Sequence, residues 1–177
     1  MFVPAKSFRM LGVVVTLTVL AGCVPNACAG FGPLTESCRQ NVKDAEAGHA
    51  QAQYTLGFLY SIGTQDVAKD YVVSANWFLK AAEQGHAKAQ NSLGTMYTLG
   101  IGVAQNDAEA ARWYLKAAEQ GHIKSQIVMG KLYKRGKGVQ QSWRKAFFWW
   151  QKAAENNDAF AQNNIGTQYE AGLGVSK

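Results

Sequence analysis

The chain has 177 residues, enough for one ordinary domain or a short repeat array. Hydrophobic residues make up 47% and charged residues 17%, which excludes a disordered chain. Three prolines exclude a proline-rich linker, and three cysteines exclude a disulfide-dense mini-scaffold. Formal net charge is +6, from 18 Lys+Arg against 12 Asp+Glu.

Residues 1–20 read as an export signal: Lys6 and Arg9 precede an apolar stretch over residues 11–20, too short to span a bilayer as a mature helix. Two cleavage readings stand. Leu20-Ala21-Gly22-Cys23 resembles the bacterial lipobox, which makes residues 1–22 a lipoprotein signal and Cys23 the lipidated residue. Ala27-Cys28-Ala29 resembles an ordinary small-x-small site, which gives a soluble secreted or periplasmic protein. Cysteine parity favours the first: with Cys23 acylated, Cys28 and Cys38 form an even pair able to close a disulfide in an oxidising envelope. Val24 after the lipid site, in place of Asp, resembles the sorting signal of an outer-membrane lipoprotein, facing the periplasm or exported. Loss of residues 1–22 leaves 16 basic and 12 acidic residues. Residues 23–34, with Pro25, Gly30, Gly32 and Pro33, read as a tether. Residues 35–48 read as a polar N-terminal capping helix.

From residue 45 to 177 one unit is written about four times. Ala82-Glu83-Gln84-Gly85-His86 recurs at residues 118–122, with degenerate copies at 45–49 and 154–158. Gly57, Gly94, Gly130 and Gly166 keep steps of 37, 36 and 36, as do Tyr60, Tyr97, Tyr133 and Tyr169. Trp77, Trp113 and Trp149 keep a step of 36. Each unit predicts two helices. Ala89, Leu93, Gly94 and Tyr97 share one face of the first, and the repeated glycine implies close backbone approach by a neighbouring helix. Gly100-Ile101-Gly102 and Gly136-Lys137-Gly138 turn the chain. Asp70, Asn106 and Ser142 are N-caps of the second helix, and Glu109 adds a capping-box pattern. That helix buries Ala110, Trp113 and Ala117, or Ala146, Trp149 and Ala153. Stacked pairs share a continuous core, so the fold is an all-α solenoid. The fourth unit stops after its first helix, and Ile165, Tyr169 and Leu173 are left short of cover: the helix is the cap, or a partner covers it, or the chain is a shortened copy of a longer one.

The unit Ala-x-Ala-Gln-x-x-Leu-Gly-x-x-Tyr-x-x-Gly-x-Gly-Val, followed by Trp-Tyr-x-Lys-Ala-Ala-Glu-Gln-Gly-His, resembles the Sel-1-like repeat, a relative of the tetratricopeptide repeat. The resemblance departs in the first unit, which lacks the second loop glycine. It implies protein–protein contacts, often in bacterial envelopes or host interaction, and a non-enzymatic scaffold or adaptor. The alternative it implies is a cell-wall-associated peptidoglycan- or penicillin-binding protein with weak β-lactamase-like activity. Its cysteine-rich relatives carry a cysteine pair in each repeat, whereas residues 39–177 here contain none.

Other signals have structural explanations. His49, His86 and His122 stand one repeat apart, roughly 10 Å in packed helices, too far to share an ion. No metal or other cofactor is expected. Ser142-Trp143-Arg144-Lys145 matches a Ser-x-x-Lys nucleophile motif without its companions, and Ser142 occupies the cap slot. Phe147 and Phe148 are extra aromatics suited to a contact surface. Residues 118–153 hold eight basic residues and one acidic, so the basic excess sits in the third unit. If the first helices line the ligand face, as in tetratricopeptide-like solenoids, the partner-binding residues are Tyr54, Phe58, Lys88, Lys124, Ile127, Lys131 and Lys134. The expected partner is an acidic protein with an apolar anchor, not nucleic acid, met at a membrane to which Cys23 tethers the chain.

Overall fold

The computed structural model describes residues 36–64 and 67–173. The export signal, the tether, Cys23 and Cys28 lie outside the described residues, and with them the lipidation and the Cys28–Cys38 pairing. Eight helices follow in order, with no strand among the described residues: α1 (Glu36–Glu46), α2 (Ala50–Ile62), α3 (Tyr71–Glu83), α4 (Ala87–Leu99), α5 (Asp107–Glu119), α6 (Ile123–Arg135), α7 (Trp143–Ala154) and α8 (Ala159–Ala171). Each packs on its chain neighbours, giving an all-α solenoid in which α2, α4, α6 and α8 are the first helices of successive units. No described helix is long and apolar enough to cross a membrane.

The recurrent glycines explain how each pair closes. Gly57, Gly94 and Gly130 are buried, and each lies beneath an aromatic ring from the second helix of its own unit: Phe78, Tyr114 and Trp150. A methyl at Gly57 would come within 2.7 Å of the Phe78 ring, and one at Gly94 within 3.0 Å of the Tyr114 ring. The close neighbour is therefore a side-chain ring, where the repeat pattern alone suggests backbone. The tryptophan one residue before each ring fills the core nearby: Trp77 with α1 and α2, Trp113 with α4, and Trp149 with α5 and α6.

The loop glycines make the joints between units. Gly102 lies against the Tyr71 carbonyl and Gly138 against the Asp107 carbonyl, so each loop backbone rests on the start of the preceding unit's second helix. The first unit follows only α1. There the wider loop plugs the space with Val67, 1% exposed, whose N–H donates to the Thr64 hydroxyl at 3.1 Å. Asp70, Asn106 and Ser142 cap α3, α5 and α7 through their side chains. Their own N–H groups donate to the carbonyls of Tyr60, Tyr97 and Tyr133, each at 2.9 Å. Because the Asn106 N–H is already used, the expected capping box does not close, and Glu109 instead pairs with Arg112 at 2.6 Å.

A line of buried amides crosses the units. Gln53, Gln90 and Gln126 donate to the carbonyls of Ala45, Ala82 and Ala118 in the preceding second helix, at 3.1, 3.0 and 3.2 Å. Gln84 and Gln120 then donate to Gln53 and Gln90, each at 2.7 Å. The next rung is Asn156, one methylene shorter. It donates to the Lys152 carbonyl at 3.2 Å, and the buried Oε1 of Gln126 has no partner among the described residues.

Candidate functional site: a groove along the first helices

The histidine slot is an N-cap. His49, His86, His122 and Asp158 precede α2, α4, α6 and α8 in extended backbone. Nδ1 of His86 accepts the Ala89 N–H at 3.2 Å, and Asp158 accepts the Ala161 N–H at 2.9 Å. With Nδ1 accepting, the His86 proton sits on Nε2 and donates to Gln51 Oε1 at 3.1 Å. His122 Nδ1 accepts the Ser125 N–H at 3.3 Å and lies 2.9 Å from the Ser125 hydroxyl, which is 2.9 Å from Asn91 Oδ1. His49 makes no such cap bond. Burial holds the His86 imidazole below its ordinary value of 6.5, with Lys88 adding to the effect. Burial does the same at His122, aided by Lys124 and then Lys88.

These caps edge an open groove of about 660 Å³. Tyr54 of α2, Lys88 and Asn91 of α4, and Lys124 and Ile127 of α6 line it, with Asp158 at its far end. The Tyr54 ring stacks on His86 at 4.7 Å and leans on Phe78 at 5.7 Å, so it is a fixed wall. Ile127 is also half-structural, since its carbonyl accepts the Trp150 indole N–H at 3.3 Å.

A second recess of about 260 Å³ adjoins the groove. Phe58, Tyr71, Phe78, Met96, Leu99 and Ile101 give it apolar walls. Asn91 and Ser92 line both spaces and join them. Phe58 and Leu99 are 46% and 59% exposed, so a ligand could reach them. Sequence reasoning named Phe58 but not Asn91, Ser92, Leu99 or His122. The signal was available in the outward slots of α4, which carry different residue types from unit to unit.

Lys131 and Lys134 are not part of the groove. The Lys131 ammonium lies over the Phe160 ring at 4.2 Å, and that of Lys134 faces the rings of Trp143 and Trp150 at 5.6 and 5.9 Å. Elsewhere in the third unit Lys137 pairs with Asp107 at 3.2 Å and Lys152 with Glu155 at 3.4 Å. The basic excess is thus divided among aromatic faces and ion pairs, and the groove's own cations are Lys88 and Lys124. Ser142 is a cap that accepts the Lys145 N–H at 3.3 Å. Phe147 meets Tyr169 edge-on at 5.3 Å, and Phe148 meets Trp149 at 5.1 Å. No group of three metal-ligating side chains occurs among the described residues.

A sequence profile described as the Sel1 repeat matches residues 50–86, 87–122, 123–158 and 159–177. Among solved structures, a Sel1 repeat protein from Oxalobacter formigenes is 36% identical with a TM-score of 0.76. The match covers 92% of this chain and 63% of that one, so the chain spans under two thirds of that relative's length. Cysteine-rich protein B of Helicobacter pylori shares the fold at 20% identity and a TM-score of 0.59, over 76% of this chain and 98% of that one. Among curated proteins none matches the chain significantly.

Proposed function

Because the chain belongs to the Sel1 repeat family, we propose that it is a non-enzymatic binding module that holds a segment of another protein in the groove along its first helices. The observation that carries this reading is the pairing of two joined spaces of different chemistry. The recess between Phe58 and Leu99 suits an aliphatic or aromatic side chain, and Lys88 and Lys124 suit a carboxylate. Asn91 at the junction offers an amide to the segment's backbone. The partner is therefore an acidic protein with an apolar anchor. In this reading lipid on Cys23 holds the module at the bacterial envelope, with the outer membrane as its address.

A photo-crosslinking residue at Ser92 tests the groove in cells. A discrete adduct is expected, lost in Lys88→Glu/Lys124→Glu and in Leu99→Glu at unchanged protein level. An adduct insensitive to all of these substitutions overturns the reading. The anchor is tested separately: Cys23→Ala should leave the membrane fraction, and unchanged fractionation without lipid on the N-terminus refutes it.

A further inference from the structure

The glycine-and-ring contact is made three times inside the molecule and is open a fourth time. Gly57, Gly94 and Gly130 each receive a ring, whereas nothing lies within 4 Å of a methyl built at Gly166. Gly166 is exposed on α8, and beside it Tyr169 is 59% exposed, although its counterpart Tyr60 is 3% exposed. Among the described residues, α7 packs on α8 and no second helix covers its other face.

We propose that this face of α8 is a docking site for an amphipathic helix of a partner protein, one that presents a tyrosine to the Gly166 notch with alanines on either side. The three filled copies specify the occupant. In the second unit Tyr114 lies over Gly94, and Ala110, Ala111, Ala117 and Ala118 let its helix approach closely. The Tyr114 hydroxyl donates to Thr95 Oγ1 at 2.9 Å while Thr95 donates to the Asn91 carbonyl at 3.1 Å. Two repeats on, Thr167 stands in the Thr95 slot beside Gly166. Thr167 donates to the Asn164 carbonyl at 2.9 Å, which leaves its oxygen able to accept a tyrosine proton. The third unit has Lys131 in that slot and a tryptophan over its glycine, so the threonine goes with tyrosine.

A second copy of this chain does not supply such a helix. α3, α5 and α7 are already committed to their own glycines, and α1 holds Gln40 and Asn41 where the other second helices hold the tryptophan and the ring. Glu170 is the sole ionisable acid or base on α8 besides Tyr169, so the contact is apolar and should depend little on salt. The groove ligand should be salt-sensitive, and this proposal does not rest on that reading.

The test uses the full chain and a labelled peptide of residues 106–120, the chain's own second-helix sequence with Tyr114, followed by fluorescence anisotropy. Saturable binding and a gain of peptide helicity are expected. Gly166→Leu should weaken binding about tenfold or more by filling the notch, as should Tyr114→Ala in the peptide. Gly166→Leu should not lower the melting temperature, because the notch is open. Thr167→Val in the protein and Tyr114→Phe in the peptide should each weaken binding, and together no more than either alone, since both remove one hydrogen bond. Lys88→Glu/Lys124→Glu should bind the peptide normally, which separates this face from the groove. Absence of binding, or equal binding to Gly166→Leu, overturns the proposal. So does a dimer of the full chain that Gly166→Leu dissociates, because the face would then be occupied by a second copy.

Discussion

The indole of Trp150 lies over Gly130, and its Nε1–H reaches the Ile127 carbonyl on the same helix at 3.3 Å. One side chain thus fills the space above the glycine and ties α7 to α6. Gly130→Val should push the ring away and cost about 1–3 kcal/mol or more, the usual penalty of overpacking a close contact. Gly166→Val meets open space and should cost little. Thermal melts of the two variants check this, and equal losses would place the ring contact outside the stabilising core.

Asn156→Gln should raise stability. The longer side chain can reach the unpaired Gln126 Oε1 and complete the amide line as Gln84 and Gln120 do. The expected gain is about 1 kcal/mol, the net worth of one buried hydrogen bond. Denaturant unfolding measures it, and no shift in midpoint would contradict the assignment.

Stability should fall with acid through the histidine caps. His86 and His122 titrate below 6.5 when folded and near 6.5 when unfolded. Between those values the unfolded chain binds more protons, so the contribution is full above pH 6.5 and is lost as pH drops through the folded values. Protonation of Nδ1 also removes the acceptor for the Ala89 or Ser125 N–H. Melting temperatures from pH 7.5 to 5 should show the decline. His86→Asn with His122→Asn should flatten it while keeping caps, and an unchanged pH slope would reject the mechanism.

Charge reversal separates the two lysine pairs. Lys88→Glu with Lys124→Glu should abolish partner capture and remove its salt dependence, because these ammoniums line the groove. Lys131→Glu with Lys134→Glu should leave capture largely intact and lower the melting point slightly, by loss of the cation–ring contacts. Capture measured at low and high salt decides it, and the opposite ranking would move the site to the third unit.

The solenoid was legible in the sequence because its packing slots demand one residue type each. A glycine must sit under each ring and a tryptophan in each core, so both recur at a fixed step. The groove was less legible because its slots are free to vary and carry no pattern of their own. Tyr54, Lys88, Lys124 and Ile127 fall on it from their helical register. Lys131 and Lys134 share that register but turn toward Phe160, Trp143 and Trp150, ring neighbours that a helical wheel of α6 alone does not include. Glu109 misled for a similar reason: the donor it was to satisfy is taken by Tyr97, a residue of the preceding helix.

The shortened rung at Asn156 gives the molecule a direction. In a linear array each unit is held only by its neighbours, so opening starts where a junction is weakest and spreads from there. The junction before α8 lacks the amide relay of the two earlier ones, and α8 buries few of its own residues. Amide protons should therefore exchange first in α8, next in α7 and α6, and last around Leu56 and Leu93. The solenoid would come apart from its carboxyl-terminal side like a zip, with the amino-terminal half the last to open.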